Sequence, residues 1–180
     1  MIVLVGYASA HGSTHEIAQR IATLLKQDGV DAETAAMDAV RDPQRYDAFV
    51  LGSAVHNGHW LPPATAFLRE HGRHLDGRPV WLYSVGLTRV VAGRHAGSAH
   101  ESEQVAAFRE IADVREHHVF SGVLAKDDLP WFGRRLFRMV RGHYGDYRDW
   151  PEIDAWADRI ARALSADHAP AGDPDAPRQS

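Results

Sequence analysis

The sequence predicts a three-layer α/β sandwich built on a five-stranded parallel sheet of order 2-1-3-4-5. Three observations carry this. Short apolar runs such as Ile2-Val3-Leu4-Val5 read as strands buried on both faces. Segments with apolar residues at helical spacing alternate with them, which implies parallel strands joined by crossover helices. Small-residue loops follow the first, third and fourth strands, at the edge where such sheets bind ligands.

Each element has its own signal. After the first strand, Ser13 is placed to cap a helix and Glu16 to reach back to it. That helix sets Ile17, Ile21, Leu24 and Leu25 on one face and ends at Gly29. Asp31 to Met37 reads as the second strand, and Asp47 to Leu51 as the third, stopping at Gly52-Ser53. Pro62 and Pro63 suit the first turn of a helix carrying Ala66, Phe67 and Leu75. Val80 to Val85 is the fourth strand, and a glycine-containing loop from Gly86 to Ser98 follows it. A helix is expected over Glu103 to Glu116 with Val105, Phe108, Ile111 and Ala112 inward. His118 to Leu124 is the fifth strand. The last helix runs from about Pro151 to Leu164, burying Ile153, Trp156 or Ala157, Ile160 and Leu164. The whole forms one domain over residues 1–165, with a patterned insert over about 126–148 and an aperiodic, mobile tail over 166–180.

Composition narrows the chemistry. The 180 residues are 44% apolar and 24% charged, with no cysteine, so a disulfide framework, a thiolate metal site and thiol redox chemistry are excluded. Any electrons must sit on a bound cofactor. The apolar run at the N-terminus is too short for a signal peptide, and no stretch approaches the roughly 20 apolar residues that span a bilayer. A cytoplasmic protein is expected, with peripheral contact at the inner face of a membrane left open. The net charge is -4, but Lys126, Arg134, Arg135, Arg138, Arg141 and Arg148 stand against only Asp127, Asp128 and Asp146 in one segment. An acidic body with one basic segment suggests a local anionic partner and not nucleic acid.

The loop Ser9-Ala10-His11-Gly12-Ser13-Thr14 offers three hydroxyls, a flexible glycine and successive N–H groups at a helix start, which suits a phosphate without any basic residue. Its spacing matches neither the dinucleotide G-x-G-x-x-G nor the Walker A loop. Ordinary helix capping is the alternative. Two further rim segments favour a flat ring nearby: Ala54-Val55-His56-Asn57-Gly58-His59-Trp60, and Ser84-Val85-Gly86-Leu87. Trp60 either stacks on that ring or packs on the sheet edge at the helix start. Together these residues point to FMN. Histidine pairs at 11/15, 56/59 and 117/118 lack ligand geometry or carboxylate partners, so no metal site is expected.

From Met1 to about Leu164 the chain resembles the flavodoxin-like, quinone-dependent protoporphyrinogen oxidases (protoporphyrinogen IX dehydrogenases). The likeness rests on YASAHGSTHEIAQRIA, LGSAVHNGHW, YSVGLTR and the basic insert followed by DYRDWPEIDAWADRIA. It implies noncovalent FMN with its phosphate on Ser9 to Thr14, ring contacts from residues 54–59 and 84–87, and an insert that covers the flavin. It also implies an oxidoreductase that dehydrogenates protoporphyrinogen or a related reduced substrate, with a quinone or other redox partner as acceptor. Ala10 stands where such loops often carry a charged residue, which leaves the phosphate site either weaker or more dependent on the backbone. The flavin N5 would carry the reaction, so no catalytic side chain is expected. A flavodoxin-type electron carrier without its own substrate is the alternative function, and a domain that keeps the fold but has lost FMN is a third.

Within the insert, Leu129, Phe132, Leu136, Met139 and Val140 form an apolar stripe, with Arg134, Arg138 and Arg141 on another. The arginines suit either an anionic membrane surface or the carboxylates of a tetrapyrrole. An ordinary helix with a solvated basic face is the third reading.

Overall fold

The computed structural model describes residues 1–86, 103–124 and 145–168. β1 (Ile2–Ala8) leads into α1 (Ser13–Gln27), β2 (Asp31–Ala36) and, after two 3-10 turns, β3 (Ala48–His56). A two-residue strand β4 (His59–Trp60), α2 (Pro62–Leu75) and β5 (Pro79–Gly86) follow. α3 (Glu103–Arg109), β6 (Asp113–Ser121), the short β7 (Val123–Leu124) and β8 (Gly145–Asp146), and α4 (Trp150–His168) complete the described chain.

The sheet runs β2-β1-β3-β5-β6 with every one of these neighbours parallel. This is the expected 2-1-3-4-5 order once the hairpin strand β4 is counted. Alternate side chains of each strand enter two separate cores. Val3, Val5, Val50, Trp81, Tyr83 and Phe120 pack under α1 and α4, against Ile17, Ile21, Leu25, Trp156 and Ile160. On the other face Leu4, Phe49, Leu51 and Leu82 pack under α2 and α3, against Phe67, Leu68, Leu75 and Phe108.

Several boundaries differ from the sequence reading. β3 does not stop at Gly52-Ser53. It continues to His56 and turns back through Asn57 (φ 51) and Gly58 (φ 81), left-handed at both positions as a type I′ hairpin requires. α2 buries Ala64, Phe67, Leu68, Gly72 and Leu75, with Ala66 only half-buried. α3 ends at Arg109, because Asp113 onward pairs with β5 along its whole length, and sheet pairing overrides the helical preference of Arg115 and Glu116. Ile111 is consequently 43% exposed instead of inward. β6 ends at Ser121, and Val123–Leu124 pairs with Gly145–Asp146 instead. α4 buries both Trp156 and Ala157 and continues to His168, three residues into the expected tail. Leu87, Arg134, Arg138 and Arg141, most of the insert and the tail from residue 169 lie outside the described residues.

Candidate functional site

Ala8, Ser53 and Ser84 stand side by side across β1, β3 and β5, so the three segments expected at the rim leave the sheet from one row. The first is the loop 9–12. Ser13 is not the helix cap: Gly12 takes that place at φ 92, and no side chain caps α1. Gly12 is suited because the left-handed cap position disfavours a Cβ. Four amides at a helix start have no partner within the helix. The Ser9 hydroxyl takes one of them, accepting from the Gly12 N–H at 2.9 Å. Among the described residues the amides of Ser13, Thr14 and His15 have no partner, and the positive end of the helix dipole lies behind them.

Thr14 is fully buried, and its Oγ1 has no hydrogen-bond partner among the described residues. Buried hydroxyls are normally satisfied, so this orphan beside the first turn of α1 is an exception that asks for a partner. Ala10 and His11 are exposed; Ser9, Gly12 and Ser13 are half-buried. His15 stacks on Tyr7 with ring centroids 4.6 Å apart and so braces the helix start against β1. Glu16 does not reach back as a capping-box residue: its carboxylate binds Arg148 at 2.5 Å.

The second segment is the hairpin, with Ala54 and Val55 half-buried and His56, Asn57, Gly58 and His59 exposed. Of the two expectations, the structure shows packing at the helix start for Trp60. It is 3% exposed, tilted against Phe108 at 5.3 Å, and its indole N–H donates to Ser84 Oγ at 2.7 Å. It therefore packs at the helix start and cannot present a face to a ring at the rim. Ser84 is likewise committed inward, lying 2.9 Å from His117 Nε2. Ser53 Oγ accepts from the Leu61 N–H at 2.9 Å, which ties the hairpin to the start of α2. At the third segment, Val85 is buried under α1 and α4, and the Gly86 carbonyl accepts from the Gly122 N–H at 3.2 Å. What this rim offers a ligand is thus backbone, small side chains and the exposed His11, His56, Asn57 and His59, with Ser53, Trp60 and Ser84 turned inward.

His118, expected to lack carboxylate partners, in fact faces two. Nε2 lies 3.1 Å from Glu152 and Nδ1 3.6 Å from Glu116. The two carboxylates meet opposite ring nitrogens, and the described residues hold no group of three or more acidic or histidine side chains that could share a metal. Among these residues no helix is long and apolar enough to cross a membrane.

The sequence reading misses the cluster beside the phosphate-type loop. A Cβ on Gly122 would lie 3.8 Å from Ser13 Oγ and 3.1 Å from Val85, so the end of β6 is pressed beneath the start of α1. The Tyr147 N–H donates to the Gly122 carbonyl at 3.2 Å, and Arg148 follows, bound to Asp146 and Glu16. No local pattern announces these partners.

A model of the flavodoxin domain matches residues 4–150. The chain is 24% identical over 172 residues to protoporphyrinogen IX dehydrogenase [quinone] of Escherichia coli K12, covering 89% of this chain and 95% of that protein. A flavodoxin from the domain Archaea superposes with a TM-score of 0.60 at 16% identity, over 92% of this chain and 99% of its own. Rubredoxin oxygen:oxidoreductase of Desulfovibrio gigas gives 0.60 at 18% identity, over 94% of this chain but only 37% of its own.

Proposed function

This chain belongs to the flavodoxin-domain family, and from that premise we propose that it is an FMN-dependent oxidoreductase that dehydrogenates protoporphyrinogen or a related reduced substrate and passes the electrons to a quinone. The orphaned, fully buried Thr14 hydroxyl beside the free first-turn amides of α1 is the observation that carries the FMN assignment. The Ser13, Thr14 and His15 amides and the Ser13 and Thr14 hydroxyls would hold the phosphate, in a loop conformation fixed by Ser9 and Gly12. The hairpin 54–59 and the backbone of Val85–Gly86 would flank the ring, leaving orientation to backbone dipoles. FMN, when bound, supplies an acceptor for a hydride at N5 and a donor of one or two electrons. The substrate and acceptor are supported by the E. coli relative's name and nearly full-length coverage. The basic insert fits either an acidic tetrapyrrole or an anionic membrane holding the quinone.

Three experiments test this. Titration followed by flavin fluorescence should show saturable FMN binding and at least roughly tenfold weaker riboflavin binding, a difference of about 1.4 kcal/mol. Anaerobic turnover of protoporphyrinogen with a menaquinone analogue should then be FMN-dependent. Replacing Arg134, Arg138 and Arg141 together by Gln should leave FMN affinity unchanged and lower turnover or liposome binding. FMN binding with no turnover on any reduced porphyrin would leave an electron carrier, and no FMN binding would sink the reading altogether.

A further inference from the structure

The loop 9–14 contains no lysine or arginine, so what it offers a phosphate is chiefly amide and hydroxyl dipoles. Glu16, the fourth residue of α1, places a carboxylate one helical turn from those dipoles. An uncompensated negative charge at that position opposes a dianion. Arg148 answers it from across the chain. Its Nε and Nη2 donate to the two Asp146 oxygens at 2.8 and 2.6 Å, and Nη1 donates to Glu16 at 2.5 Å. The guanidinium stacks on Trp150 at 4.6 Å, and its side chain is only 10% exposed, whereas the Glu16 carboxylate it faces is 56% exposed and open to screening by salt. The position is fixed from below: β7 and β8 form a two-stranded neck, and the Tyr147 N–H is bonded to Gly122, which lies beneath Ser13. Arg148 is thus held by contacts outside its pair with Glu16.

Resting on the FMN reading above, we propose that Arg148 is a positioning residue that confers selectivity for the phosphorylated flavin by neutralising Glu16 beside the phosphate loop. The local balance is two carboxylates against one guanidinium, a net charge of −1; without Arg148 it becomes −2. The proposal concerns the phosphate alone, so riboflavin, which has the same ring and no charge, serves as the internal control.

The experiment is titration of FMN and riboflavin against the wild-type full chain and the variants Arg148→Gln, Arg148→Lys, Glu16→Gln and the Arg148→Gln/Glu16→Gln double, each at low and high salt. Arg148→Gln should raise the Kd for FMN about tenfold, the effect of one added charge on a dianion across roughly 10 Å at intermediate dielectric. Riboflavin should stay within about twofold, within the tolerance for independent effects. The double variant restores the net charge of −1 and should recover FMN affinity, and Arg148→Lys should keep most of it. The loss in Arg148→Gln should shrink at high salt. Equal losses for both flavins would make Arg148 a merely structural residue and overturn the proposal, as would failure of the double variant to recover. Should Arg148→Gln fail to fold, Glu16→Gln alone decides: it should tighten FMN and leave riboflavin unchanged, and no change in FMN overturns the proposal. If the wild-type chain binds neither flavin, the FMN reading itself falls, a result distinct from all of these.

Discussion

Tyr83 and Gly52 occupy one another's space. A Cβ on Gly52 would lie 1.8 Å from Tyr83 Cζ, so the tip of the ring fills the volume any side chain at 52 would need. The same burial leaves the phenol without a hydrogen-bond partner among the described residues and raises its pKa above the ordinary tyrosine range. Two opposite outcomes are expected. Gly52→Ala forces overpacking between strands and should cost about 3 kcal/mol, read as a fall of roughly 6–12 °C in Tm. Tyr83→Phe removes an unsatisfied hydroxyl while keeping the ring, and should be neutral or stabilising by about 1 kcal/mol. The fold favours the neutral phenol, so its contribution is intact below the unfolded tyrosine pKa of about 10 and is lost as the pH rises above it. Melting curves of the wild-type chain should therefore fall at alkaline pH by more than those of Tyr83→Phe. A larger destabilisation of Tyr83→Phe than of Gly52→Ala would reverse this account.

At the scale of elements, the β3–β4 hairpin can be perturbed separately from the core. Gly58 has φ +81, and a Cβ added there would meet nothing within 4 Å, so Gly58→Ala brings strain without a clash. A left-handed alanine costs roughly 1–2 kcal/mol, and the exposed hairpin should absorb it by local opening. Under the proposed function, FMN and riboflavin should weaken in parallel, because this element flanks the ring and not the phosphate. Amide exchange at residues 55–60 should quicken while Tm changes little; a phosphate-selective loss would contradict the assignment. Elements with strong local signals are legible from sequence: the Ile2–Val5 run, the amphipathic face of α1 and the buried stripe of α4. The hairpin escapes the sequence reading although Asn57-Gly58 is a strong turn signal, because Gly52-Ser53 also reads as a strand end. α3 reads too long because Arg115 and Glu116 favour helix, whereas pairing with β5 decides their conformation. The placement of residues 9–14 and 54–59 at one rim of the sheet is legible because each segment follows its strand locally. The fates of Trp60 and Ser84 depend on His117 and Phe108, and that of Arg148 on Glu16, 132 positions away, which no window of sequence contains.

Across the whole molecule, two apolar layers separated by the sheet hold the fold, and the Arg20–Asp154 ion pair ties two helices together over one of them. Ile21 lies fully buried between α1, the sheet and α4, whereas Arg20 beside it reaches over to Asp154 of α4, donating at 2.8 and 2.6 Å. Both link the same helices, so comparing them shows which effect wins. Ile21→Ala removes buried methyl groups and leaves a cavity, which should cost about 2–5 kcal/mol at every pH at which the protein is folded. The Arg20–Asp154 pair is largely solvated, with both side chains about a third or more exposed, and exposed pairs contribute little. Its signature is pH dependence. The Arg20 guanidinium, bonded to Asp154, holds that carboxyl below the usual carboxylate range. A depressed native pKa contributes stability above the unfolded value of about 3.9 and loses it as the pH falls through the lower native value. Asp154→Asn should therefore lower Tm slightly at pH 7, and the gap from wild type should close towards pH 3. Ile21→Ala should remain well below wild type across that range. Thermal melts of the three proteins between pH 3 and 7 check both outcomes; a gap for Asp154→Asn that persists undiminished in acid would mean that the carboxylate acts by packing and not by charge.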